Sequence, residues 1–152
     1  MLADVSAIVH TLAGAAWFGA MFYSLMVLQP KAKAYFENDP KFEDFIATIS
    51  RGARWKVLSA FAIVLLSGVA LILLARPEPM SVWWLTLIAL KTAAFVIALA
   101  IFCYASWRLW PARIFATTEE IPAIQQRFRR IGITLLILVG LAMALGVVAH
   151  AR

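Results

Sequence analysis

Charge, cysteine and histidine are all scarce in this sequence. Only 14% of its 152 residues are charged, one is cysteine and two are histidine. The single Cys103 excludes an internal disulfide and any multi-cysteine metal cage. Its expected role is that of a small buried hydrophobe near the end of a helix. No P-loop, GxGxxG, HExxH, CxxC or Ser-His-Asp pattern occurs, so soluble hydrolase and nucleotide chemistry have no support.

The missing charge is also localised. Val5 to Pro30, Val57 to Ala75 and Ile131 to Ala151 contain no Asp, Glu, Lys or Arg, and Lys91 is the one charge between Pro79 and Trp107. What fills these stretches is apolar: 64% of the chain is hydrophobic and its mean hydropathy is +0.88. A helix needs about 20 apolar residues to cross about 30 Å of hydrocarbon. Four stretches of this kind predict a single all-α transmembrane domain over 1–152, an up-down antiparallel four-helix bundle. Its spans are expected near 5–29, 57–75, 81–107 and 131–150. The first stretch does not read as a signal peptide: no Lys or Arg precedes it, it exceeds an h-region, and it carries Trp17, Phe18, Phe22 and Tyr23.

A pI near 10 would suit nucleic acid, but the placement of the charge argues against it. Segments 30–56 and 108–130 hold Lys31, Lys33, Lys41, Arg51, Arg54, Lys56, Arg108, Arg113, Arg127, Arg129 and Arg130, whereas the other side holds only Arg76 and Arg152. By the positive-inside rule both termini face outward, the periplasmic side of a bacterial inner membrane. The basic charge sets orientation and meets anionic lipid, so the bilayer, not nucleic acid, is the partner. A periplasmic metal donor, an electron-transfer partner or a second copy of the chain are further candidates.

Proline sets the expected boundaries. Helix 1 is expected to end at Pro30, and Asn38-Asp39-Pro40 to open the next helix, with Phe42, Phe45, Ile46 and Ile49 as its apolar stripe. Helix 2 should rise into the bilayer near Lys56 and break at Pro77 and Pro79. Helix 3 begins near Ser81, with Trp83 and Trp84 at the outer interface, and should leave the bilayer near Trp107 to Trp110. Pro111 and Pro122 would bracket a loop in which Thr117-Thr118-Glu119-Glu120 caps a short helix. Mid-span Gly68, Gly140 and Gly146 are expected to let helices approach closely.

Three residues stand out chemically. His10 lies roughly 8 Å inside the first span, and His150 ends the fourth, near the same membrane face. Imidazole is a common ligand of transition metals and haem iron. Against that stands a structural reading, a histidine bonded to Ser or Thr in the bundle. Lys91 lies ~15 Å deep, where placing Lys costs ~2.5–3.5 kcal/mol. An anionic ligand, a haem propionate, a carbonyl cluster or loss of the proton would offset this cost. Gly14, Trp17, Met21 and Ser24 share a helix face with His10, and Met143 lies seven residues before His150. Imidazole with thioether suits Cu(I), although Met21, Met26 and Met143 also serve as ordinary packing.

His10 followed by Trp17-Phe18-Gly19-Ala20-Met21-Phe22-Tyr23 resembles the first helix of two groups of small membrane proteins. They are the CopD-like copper-resistance domains and the HemJ-type protoporphyrinogen oxidases. Lys91 looks like a lysine in the third helix of both. Arg54, Ser59, Ser67-Gly68 and Arg129-Arg130 look more like the CopD-like side. That resemblance implies copper handling or transport, with His10 as principal ligand, His150 and Met143 as further ligands, and Lys91 tuning the site. The HemJ-like side implies haem b, with His10 axial, Lys91 at a propionate and Trp17 beside the cofactor. An enzyme, on that reading, would be a haem- or porphyrin-linked membrane oxidoreductase; its catalytic residues are not legible. A third reading is an accessory subunit in which these residues only pack helices.

Overall fold

The computed structural model describes residues 1–75 and 81–150, and the side chains of all of these except Ala75 and His150. Among the described residues the chain is almost wholly helical and contains no strand. Five helices follow in order: α1 Leu2–Phe36, α2 Asp39–Ile49, α3 Ala53–Ala75, α4 Val82–Ile114 and α5 Ile121–His150. Four of them, all but α2, are long and apolar enough to cross a membrane. The break expected at Pro77 and Pro79 lies outside the described residues.

The exposed surface identifies the solvent. Leu66 is 69% exposed, Leu73 71% and Val147 70%. Apolar area in water costs about 25 cal/mol per Å², so a helical bundle presenting such a surface is at equilibrium in lipid. This is a membrane protein.

Inside, α1 packs on α3 and α4 on α5, and α1 joins the two pairs by its contact with α5. Large side chains fill the space between the pairs. Phe61 (3% exposed) on α3 meets Phe95 and Phe102 on α4 at 5.3 and 5.7 Å between ring centroids, and Trp17 on α1 at 4.4 Å. Ala98 and Leu135 complete this core. Where α1 meets α5 the approach is close: a Cβ on Gly132 would lie 2.7 Å from Leu25 Cδ2 and would make that leucine shift.

Two expected helix ends are displaced, for one reason. Pro30 does not end α1, and Pro111 does not end α4. Each helix widens into a π turn, Ser24–Leu28 and Ala105–Leu109, and then runs on to Phe36 and Ile114. Gln29 N–H bonds the Ser24 carbonyl, and Trp110 N–H bonds the Ala105 carbonyl, both five residues back. A π turn absorbs the ring and missing N–H of the proline that follows, which an ordinary helix cannot do. After Ala105 the next carbonyl, Ser106, would look five residues on to Pro111, which has no hydrogen to give. Arg54 supplies it instead: its guanidinium donates to the Ser106 carbonyl and lies 4.7 Å from the Trp107 ring.

The predicted second helix is split. Asn38 caps α2, its side chain accepting from Lys41 N–H at 3.2 Å. Gly52, at φ +74, then turns the chain into α3, because the left-handed region is free of cost only for glycine. Phe42 and Ile46 are buried against Ala32, with Phe36, Phe45 and Trp110 around them, while Ile49 stays exposed. The last helix starts at Ile121, earlier than expected. No short helix precedes it: Glu120 turns back to accept from both N–H and O–H of Thr117, each at 2.9 Å.

Candidate functional site

Apolar helices give a buried polar group few partners, so the few it finds define a site. His10 on α1 points at α3. Its Nδ1 lies 3.0 Å from the Val64 carbonyl and 3.0 Å from Ser67 Oγ. The Ser67 hydroxyl donates to the Ile63 carbonyl at 2.6 Å, so its oxygen accepts. Both neighbours of Nδ1 are therefore acceptors, and Nδ1 must carry the proton. The lone pair is left on Nε2. Lys91 Nζ, from α4, donates to Nε2 at 3.2 Å. Residues 81 apart in sequence thus meet across the gap between the two helix pairs.

Glycines make room for both side chains. A Cβ on Gly68 would stand 3.1 Å from His10 Cε1, and one on Gly146 2.9 Å from Lys91 Nζ. These two glycines accordingly seat polar side chains instead of bringing helix backbones together, which was their expected role; Gly140 faces the Phe18 ring. Gly14, one turn from His10 on the same face, has open space where a Cβ would sit. All four spans contribute to this cluster: α1 gives His10, α3 gives Ser67 and Gly68, α4 gives Lys91 and α5 gives Gly146.

The other candidates are placed differently. Trp17, roughly 10 Å further along α1, belongs with Met21 to the aromatic core around Phe61. Met143 is half-buried on α5, one turn before Gly146, and Cys103 is half-buried near the π turn of α4. The His150 side chain lies outside the described residues. Among the described residues no group of three or more His, Cys, Asp or Glu converges on a point.

A second polar cluster was not foreseen. Arg113, 8% exposed, grips Glu43 with Nε–Oε2 at 2.6 Å and Nη2–Oε1 at 3.1 Å. Its guanidinium carbon lies 4.8 Å from the Phe128 ring. Gln125 donates to Glu43 at 2.9 Å, and Lys33 donates to Gln125 and pairs with Asp39 at 3.6 Å. This network pins α2 to the ends of α1, α4 and α5. Amphipathic spacing gave the apolar face of α2, but no signal in the sequence pairs Glu43 with an arginine 70 residues away.

No family model, no curated protein and no solved structure matches this chain.

Proposed function

We propose that the protein is a four-span inner-membrane protein that holds a metal-bearing, anionic cofactor, haem b, through His10 and Lys91. The observation that carries this reading is the seat of His10 Nδ1 between the Val64 carbonyl and Ser67 Oγ. Ligating histidines usually donate the second ring N–H to a carbonyl or carboxylate, which orients the ring and makes the free nitrogen a better donor. The Val64 carbonyl and Ser67 do this for His10.

The neighbour of Nε2 favours haem over a bare metal ion. Lys91 brings positive charge within 3.2 Å of the donor atom, and the one carboxylate on the described spanning helices, Asp4 in the first turn of α1, is paired with the N-terminal ammonium. A metal cation would face that charge directly. An anionic porphyrin would suit both residues: Lys91, drawn off Nε2, would pair with a propionate, and the imidazole so freed would hold the iron. Gly14, on the same helix face as His10, leaves the space beside it open. When bound, haem would supply one-electron redox chemistry. The chain's own part is to orient His10, hold cationic charge at Lys91 and exclude water with the surrounding lipid.

Copper, the CopD-like reading, has one observation in its favour. Two nitrogens at about 2.0 Å from a tetrahedral metal stand ~3.3 Å apart, close to the 3.2 Å between His10 Nε2 and Lys91 Nζ. Lys91 would then bind without its proton, and Met143 and His150 would have to complete the set.

In support of an up-down bundle, the pairings of His10 with Ser67 and Trp17 with Phe61 run in opposite chain directions. The basic residues of 30–56 and 108–130 support periplasmic termini.

The visible spectrum of the detergent-purified chain tests the proposal. A Soret band lost in His10→Ala is the expected result. A colourless protein with stoichiometric copper would replace haem by copper, and a protein with neither would leave an accessory role.

A further inference from the structure

At the basic end of the bundle, away from His10 and Lys91, a half-open cleft of about 560 Å³ lies along α5 beside Tyr104 of α4. Tyr104 from α4 and Gln126, Arg127, Arg130 and Ile131 from α5 line it. Arg127 and Arg130 stand one turn apart on the same helix. Both are exposed, and neither side chain makes a hydrogen bond or ion pair among the described residues. Glu119 and Glu120 border a neighbouring cleft that Arg127 also lines, without pairing to it. Contrast Arg113, on the same end of the molecule, whose charge is fully engaged by Glu43.

The surface leading away from this cleft is apolar. On α5, Thr134, Ile137 and Leu141 continue the exposed stripe that Arg130 begins, and on α4 Ile97 stands two turns from Tyr104 on the same side. Two free guanidiniums and a phenol therefore sit at the mouth of a groove flanked by lipid-facing aliphatic side chains. Guanidinium recognises phosphate oxygens by paired hydrogen bonds, and aliphatic stripes accept acyl chains. We infer that this cleft seats the phosphodiester headgroup of an anionic phospholipid, one acyl chain of which lies along the α4–α5 groove.

Native mass spectrometry of the full chain, released from detergent after incubation with phosphatidylglycerol or phosphatidylcholine, tests this. Phosphatidylglycerol adducts are expected to dominate. Arg127→Gln/Arg130→Gln should weaken them on the order of 30-fold, since each basic contact near an anionic headgroup carries about a fivefold effect. Lys31→Gln/Lys41→Gln removes the same charge from exposed sites elsewhere on this end and should leave them within about twofold. Tyr104→Glu, on the opposing helix, puts a carboxylate in the seat and should also abolish them. Equal adducts for both lipids, or equal weakening by the two double variants, would overturn the site in favour of diffuse charge. Displacement of the lipid by millimolar inorganic phosphate would overturn it in favour of a free-anion site.

Discussion

Replacing Lys91 by methionine separates the cost of this residue from its use. Methionine keeps lysine's unbranched stem as far as Cε and carries no charge. In the fold, the ammonium reaches toward the end of the bundle marked by His10 and Gly146, so the ~2.5–3.5 kcal/mol cost of a mid-span lysine is its upper limit; in a chain unfolded in SDS it reaches water. Its described compensation is one charge-assisted hydrogen bond, to His10 Nε2 at 3.2 Å, worth about 1.5–3 kcal/mol. The aliphatic stem keeps its seat against Gly146 in either residue. The difference predicts that Lys91→Met stabilises the fold by no more than about 2 kcal/mol. Over the same change the cofactor should be lost or its spectrum shifted. Equilibrium unfolding in mixed micelles gives the first quantity, and absorbance of the purified variant the second. A variant destabilised by more than about 2 kcal/mol that keeps an unaltered Soret band would refute the reasoning, because Lys91 would then be a structural residue with no part in ligand binding.

Other substitutions test neighbouring arguments. Gly68→Val should displace the His10 ring, whose Cε1 already stands 3.1 Å from the position of a Cβ, and so reduce cofactor content in the purified protein with little change in expression. Arg113→Ala leaves Glu43, which is 15% exposed, with Gln125 as its remaining donor and should cost up to about 3–5 kcal/mol in the same unfolding assay; a double-mutant cycle with Glu43→Gln should show strong coupling. Arg54→Ala leaves the Ser106 carbonyl without its donor and should cost about 1–3 kcal/mol, a loss that Pro111→Ala partly restores by returning a backbone N–H. The Glu120 carboxyl is held below its usual range by the Thr117 N–H and O–H. Its contribution to stability is therefore present above the ordinary glutamate range and is lost as pH falls through the lowered value. NMR titration should return this carboxyl toward ordinary values in Thr117→Val.

Much of the architecture was legible because lipid imposes a simple rule. A charge-free run of helical length has one stable environment, so the four spans could be read from where charge was missing. The helix opening at Asn38-Asp39-Pro40 was equally local and was found where expected, as were Phe42, Phe45 and Ile46 of the stripe, though not its fourth member Ile49, which stays exposed. The helix ends were not. Pro30 and Pro111 signal termination in a chain surrounded by water, yet a π turn six residues earlier lets each helix continue, and at Pro111 the freed carbonyl is satisfied by Arg54 from a different helix. That partner cannot be seen from within the segment.

The candidate site divides in the same way. Sequence by itself singled out His10 and Lys91, because an ionisable residue in a span is costly whatever surrounds it. Only the tertiary structure decided that the two touch, that the acceptors around Nδ1 favour the proton there, and that Nε2 is then the nitrogen that accepts from Lys91. It also decided that Trp17 belongs to the aromatic core and that two glycines serve the polar pair. The physical reason is range. Burial cost belongs to a residue and its own helix, whereas a hydrogen bond's direction depends on where three other helices place their carbonyls, hydroxyls and missing side chains.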